Sequence, residues 1–192
     1  MFEIMGKMVH AQRKRIHPYK FNMWVAMGSI VMMFAGFTSA YLVMQSRSTW
    51  QSFELPEVFW FSTAVILVSS GTIQWAYRSF KAHNMGRYKM LITVTAVLGL
   101  VFLASQTTGF AELYERGLKL DWNVSVALLY IIAGAHMLHV LGGVVALLII
   151  FIRAYRRKVR SYDPIPIEVV ATYWHFVDVL WIYLYVFFLW IR

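Results

Sequence analysis

Five stretches without an ionised side chain divide this sequence, and they decide the solvent in which it folds. The first lies between Lys20 and Arg47 and holds 26 residues; the second, between Glu57 and Arg78, holds 20. The third, between Lys89 and Glu112, holds 22, and the fourth, between Asp121 and Arg153, holds 31. The fifth, between Glu168 and Arg192, holds 23 and is broken only by Asp178. A helix that crosses the hydrocarbon core of a bilayer needs about 20 predominantly apolar residues. Every run is long enough, and the fourth is long enough to project beyond the bilayer. Lipid offers the backbone no hydrogen-bond partner, so a spanning segment must close its bonds internally, as a helix does. The runs lack the period-two alternation of a barrel strand. The expected fold is therefore all-α, an integral membrane bundle of five transmembrane helices. Its approximate spans are 22–45, 58–78, 89–110, 123–153 and 167–191, with a basic cytoplasmic tail over 1–20 and a single membrane domain over 21–192.

Composition agrees: 60% of the 192 residues are hydrophobic and 14% charged, against about half and about a quarter in soluble domains. Cysteine is absent, which excludes disulfides and thiolate metal sites. The net charge of +9 is a matter of topology. Lys7, Arg13, Lys14, Arg15 and Lys20 precede the first run. Arg78, Lys81, Arg87 and Lys89 lie between the second and third, and Arg153, Arg156, Arg157, Lys158 and Arg160 between the fourth and fifth. The other side has only Arg47, Arg116, Lys119 and Arg192. The positive-inside rule then puts the N-terminus in the cytoplasm and the C-terminus outside. The run "RAYRRKVR", directly after a span, reads as part of this pattern, so no nucleic-acid partner is expected. No cleavable signal peptide is expected, because the first apolar run is too long and no small-residue cleavage pattern follows it. Pro56, Pro164 and Pro166 fall at span entrances, where a first turn tolerates proline. Trp24, Trp50, Trp60, Trp122 and Trp190 fall near the interfaces, as an aromatic belt does.

Ionisable groups at depth are few. Glu3, Glu54, Glu57, Glu112, Glu115, Asp121 and Asp163 lie in tails, loops or span edges, and Glu168 lies at the entrance of the fifth span. Only Asp178 is a deep acid, and the deep histidines are His136, His139 and His175. His139 is 11 residues before Ile150, and Asp178 is 11 residues after Ile167. On antiparallel neighbouring helices the two lie at one level, which suggests a polar tie between Asp178 and His139. His136, His139 and Gly143 share one helical face by spacing, and Gly142 and Gly143 would let another helix approach closely. A membrane acid is a functional candidate because leaving it unpaired is costly. The plainer reading, a carboxyl hydrogen-bonded to His or Trp that fixes two helices together, is the more frequent one. A metal or haem site at His136, His139, His175 and Asp178 is a ligand list on paper, but His-x-x-His on a helix is weak support for it. The methionines of "MGSIVMMF" read as lipid-facing or packing surface.

The motifs carry a resemblance. "YWHFVDVLWIYLYVFFLW" (173–190) closely resembles the last helix of subunit III of cytochrome c oxidase and its relatives in the haem-copper oxidase superfamily. "GAHMLHVLGG" (134–143) resembles the "GxHxxHVxxG" segment of the preceding helix, and Glu168 matches an acid at the start of the final helix. "WVAMGSIVMMFAGFTSAYL" resembles the "SEVMFF" helix. The resemblance covers essentially the whole chain, and five spans look like the shorter bacterial form of a seven-helix subunit.

The resemblance implies an accessory subunit, itself neither catalytic nor a carrier of cofactors. Haem and copper are expected in the partner subunits. It implies packing beside subunit I, which reduces oxygen to water and pumps protons, in a complex with subunit II and small accessory subunits. Such a complex sits in the bacterial cytoplasmic (inner) membrane and can join a respiratory supercomplex. A lipid-binding cleft is also implied, with Arg153 and Arg156 as headgroup candidates. His136, His139, Glu168, Trp174, His175 and Asp178 are implied as structural polar sites. Two departures stand out: the family's "SEV" glutamate is replaced by Ile30, and the acid of its "QxxEY" pattern is absent after Gln106. Proton handling through those two positions is therefore unavailable. The electron donor, cytochrome c or quinol, stays open. Alternatives of another kind are a b-haem anchor using His136 or His139 with His175, and a proton-coupled relay centred on Asp178. The lack of further deep carboxylates and of an inverted repeat argues against the relay.

Overall fold

The computed structural model of the chain describes residues 18–46, 55–118, 123–156 and 164–191. Among them run five helices: α1 (Pro18–Gln45), α2 (Val58–Lys81), α3 (Met85–Glu115), α4 (Val124–Arg156) and α5 (Ile165–Trp190). All five are long and apolar enough to cross a membrane, and no strand occurs among the described residues. The protein is thus all-helical and multi-pass. At about 1.5 Å per residue, the helices exceed the roughly 30 Å hydrocarbon thickness. The residues before Pro18, the stretch with Arg157, Lys158 and Arg160, and Trp50 and Trp122 lie outside the described residues.

The side chains are sorted as lipid requires. The interior combines aliphatic and aromatic side chains with buried Ser, Thr, Gln106, His136 and Asp178, while Trp24, Met32, Trp60, Leu138, Val179 and Trp190 face outward. α2 and α3 form a hairpin, α4 packs on α3, and α5 packs on both α2 and α4. α1 touches only α4 and α5. The α1–α5 contact is parallel, because three polar ties join the helices in register. Lys20 meets Glu168 at 2.6 Å, the Thr38 and Tyr183 hydroxyls lie 3.1 Å apart, and Gln45 Nε2 donates to the Ile191 carbonyl at 3.1 Å.

The α2–α3 turn follows from capping chemistry. His83 takes a left-handed φ of 56°. Its N–H donates to the Phe80 carbonyl, and the Asn84 N–H donates to that of Ser79. These two bonds satisfy carbonyls that the end of α2 would leave open. The Asn84 side chain then caps α3 by accepting from the Arg87 N–H at 3.2 Å. One residue therefore ends a helix and starts the next, and Arg78 and Arg87 come to flank the same turn. Gly117 (φ 83°) closes α3 in the same way, with Leu118 N–H donating to Leu113 and Gly117 N–H to Tyr114.

Candidate functional site

α5 packs on α1, α2 and α4, and its Trp174, His175 and Trp181 side chains find their hydrogen-bond partners on α2. Trp174 is fully buried and its indole N–H donates to the Ser69 hydroxyl at 3.1 Å. The ring fits only because Gly99 of α3 and Gly143 of α4 carry no side chain. A Cβ at Gly99 would lie 2.9 Å from Trp174 Cη2, and one at Gly143 would lie 3.1 Å from Cε3. At Gly143 the space expected for a closely approaching helix is taken by the Trp174 indole and the Tyr173 ring. Two turns on, the Trp181 N–H donates to the Thr63 hydroxyl at 3.0 Å.

His175 bridges two α2 side chains. Its Nε2 lies 3.2 Å from Gln74 Oε1 and its Nδ1 lies 2.6 Å from the Ser70 hydroxyl. Gln74 Oε1 can only accept, which places the hydrogen on Nε2; a neutral ring then accepts from Ser70 at Nδ1. These contacts belong to a stripe along α2, Ser62, Thr63, Ser69, Ser70 and Gln74, that sequence reasoning did not single out. The signal was present: spacings of seven place Ser62 with Ser69 and Thr63 with Ser70 on one helical face. Ser62 also accepts from Gln106 Nε2 at 2.9 Å, so the position beside the missing "QxxEY" acid joins the same seam.

The expected tie between Asp178 and His139 is not made. Both Asp178 carboxyl oxygens are buried without a hydrogen-bond partner, beside a Ser70 hydroxyl that is engaged by His175. His139 is committed to its own helix, its Nδ1 donating to the Ala135 carbonyl at 2.7 Å. Its backbone carbonyl accepts from the Tyr173 hydroxyl at 3.0 Å. That Tyr173 bond joins α4 to α5 where the Asp178 tie was expected. The two residues share a level, but level does not fix the direction in which a side chain leaves its helix. His136 is enclosed by aromatic rings, stacked on Trp181 with centroids 5.2 Å apart and edge-on to Phe34 and Phe102. Both of its ring nitrogens lack a partner.

Among the described residues no group of three or more His, Asp or Glu could hold a metal. The bis-histidine pair of a haem anchor is not assembled either, since His175 engages both ring nitrogens on α2. Ile30, where the resemblance led to the expectation of a glutamate, is partly buried against the core.

Most of the described basic residues gather at one end of the bundle, where α1, α3 and α5 begin and α2 and α4 finish. Glu168 is held there by Lys20. Beside them a cleft of ≈ 440 Å³ opens between α4 and α5, lined by Tyr19, Ile149, Arg153, Pro166 and Val170 among others. Its walls are largely aliphatic and its polar rim carries the Arg153 guanidinium. Arg156 ends α4, and its side chain lies outside the described residues.

Comparison with known proteins matches the chain to one family. The family model described as cytochrome c oxidase subunit III matches residues 19–192. Among similar proteins, cytochrome c oxidase subunit 3 of Bacillus sp. (strain PS3) is 28% identical over 84% of this chain and 80% of its own length. The protein of the same name in Petromyzon marinus is 34% identical over 72% of this chain and 51% of its own length. That in Homo sapiens is 34% identical over 70% and 50%. The chain thus spans about half the length of these animal relatives. With the family model matched from the first helix to the last residue, the chain belongs to the cytochrome c oxidase subunit III family.

Proposed function

We propose that this chain is a cofactor-free accessory subunit of a proton-pumping terminal oxidase in aerobic respiration. It stabilises the oxygen-reducing subunit I and binds lipid, while the haem and copper chemistry belongs to partner subunits. The match to the family over 19–192 carries this reading. Residues 21–192 form one membrane domain behind a basic tail over 1–20. The basic end faces the cytoplasm and the C-terminus lies outside the bacterial inner membrane, in keeping with the positive-inside rule. Subunit II and small accessory subunits complete the complex, which can enter a respiratory supercomplex. The names of the relatives favour cytochrome c over quinol as the electron donor.

His136, His139, Glu168, Trp174, His175 and Asp178 serve as structural polar groups. The interhelical bonds of Trp174 and His175, and the Lys20–Glu168 pair, support that assignment. The cleft at Arg153 takes a phospholipid, its acyl chains against Ile149 and Val170 and its phosphate at the guanidinium, with Arg156 as a second headgroup contact. The aliphatic walls and cationic rim support this.

The test is selective removal of the chain. An oxidase stripped of it is expected to retain its haem spectrum and initial turnover while losing thermal stability and inactivating faster during turnover. Loss of the haem spectrum together with the chain, in proportion to its removal, would overturn the accessory role.

A further inference from the structure

A second cleft lies on the opposite flank of the basic end, at the α2–α3 turn. It measures ≈ 410 Å³ and is lined by Trp75, Arg78, Ser79, Arg87, Met90 and Leu91. Two arginines and a serine hydroxyl form one wall. Trp75 and Met90, 62% and 67% exposed, form the side that faces the hydrocarbon.

The cations at this end differ in what they already hold. Lys20 holds Glu168. Lys81 lies 4.5 Å from the centre of the Tyr77 ring, and Lys89 lies 5.4 Å from that of Tyr155. Among the described side chains, those of Arg78, Arg87 and Arg153 have no ion pair, hydrogen bond or ring contact. Arg153 lines the cleft between α4 and α5, and Arg78 and Arg87 line this one together. No acid lines the cleft, and the described carboxylate at this end, Glu168, is taken by Lys20. The turn that brings the two arginines together is fixed by the His83 and Asn84 bonds, so the site is preformed.

We propose that this cleft binds the phosphate of an anionic phospholipid. Arg78 and Arg87 grip the headgroup from the two arms of the hairpin, with the Ser79 hydroxyl as a further donor. The acyl chains run along Trp75, Met90 and Leu91. Guanidinium forks suit phosphate oxygens, and the apolar flank favours a lipid over a free anion. The site is separate from the Arg153 cleft and does not depend on it.

The test uses the complex that co-purifies with the chain, reconstituted in nanodiscs of phosphatidylcholine with or without phosphatidylglycerol. Retained lipid is counted by native mass spectrometry. The intact complex is expected to hold one more phosphatidylglycerol than its Arg78→Gln/Arg87→Gln variant. Each single variant should weaken that lipid about fivefold, the contribution of one basic side chain near a charged headgroup. Arg153→Gln should leave this lipid in place, which separates the two sites. Because the double variant also removes two topology charges, the single variants decide the matter if it fails to assemble. An unchanged phosphatidylglycerol count in the variants would overturn the proposal. So would displacement of the lipid by millimolar inorganic phosphate, which marks a free-anion site. Loss of a neighbouring subunit with no change in lipid would assign the arginines to a partner's carboxylate instead.

Discussion

At the scale of single residues, the indole of Trp174 shows how this bundle is closed. The ring occupies space that two glycines on two other helices leave open, and its N–H reaches Ser69. Packing of this kind matters more in lipid than in water, because apolar burial alone gives helices no preference for one another over lipid tails. Gly99→Ala would place a methyl group 2.9 Å from an aromatic carbon that is pinned by its hydrogen bond. Overpacking a well-filled core costs about 1–3 kcal/mol. The variant is expected to lower the unfolding midpoint of the purified complex in detergent, and Gly99→Ala with Trp174→Phe is expected to recover part of the loss. An unchanged midpoint for Gly99→Ala would show that the indole is not held there. The sequence marked Trp174, His175 and Asp178 as polar and deep, and it marked Gly143 as a point of approach. It did not reveal that α2 supplies the partners of Trp174 and His175 and leaves Asp178 without one. Serine, threonine and glutamine are common in spans and cheap to bury in a helix, where a hydroxyl can bond the preceding turn. They therefore stand out only when read as a stripe. The histidine–aspartate tie failed for a related reason: counting residues gives depth, whereas the partner depends on the azimuth of each side chain.

At the scale of elements, α1 is the least embedded helix. It contacts α4 and α5 alone, and its inward face is mostly small or aromatic. Its three polar ties to α5 at the start, middle and end of the helix set both its direction and its register. An interhelical hydrogen bond in a membrane is worth about 0.6 kcal/mol on average, and a partly exposed ion pair about 0–1 kcal/mol. The triple variant Lys20→Met/Thr38→Val/Gln45→Leu is therefore expected to loosen α1 by about 1–2 kcal/mol in total. Limited proteolysis in detergent should cut it first between α1 and α2, with α2 to α5 remaining as one resistant fragment. Uniform digestion of all five helices would contradict the separate standing of α1. The number of helices followed from the charge-free runs, but their ends did not. α3 continues past the apolar run to Glu115, where Glu112 pairs with Arg116 one turn away. A helix leaving the bilayer has no reason to stop where hydrophobicity does. Its stop is set by the left-handed residue at Gly117.

At the scale of the whole molecule, one end of the bundle collects all the described cations but Arg116. The structure shows what those charges have available to them: Lys20 an acid, Lys81 and Lys89 aromatic faces, and three arginines open clefts with apolar walls. The same charges that set topology thus also present a surface to lipid phosphate. The middle of the molecule carries the polar seam between α2 and α5, in which Trp174, Trp181 and His175 find partners within the chain while the Asp178 carboxyl does not. Its outer faces are apolar and available to lipid or to neighbouring subunits. This division, an interior tied by bonds between helices and an apolar exterior, suits a subunit that supports another. The most direct measurement is affinity capture of the tagged chain from its native membrane in mild detergent, with mass spectrometry of the partners and a reduced-minus-oxidised optical spectrum. The account predicts co-purification of oxidase subunits I and II with their haem bands, and no haem band once the chain is separated from them. Recovery without oxidase subunits, or a haem spectrum that stays with the isolated chain, would contradict it.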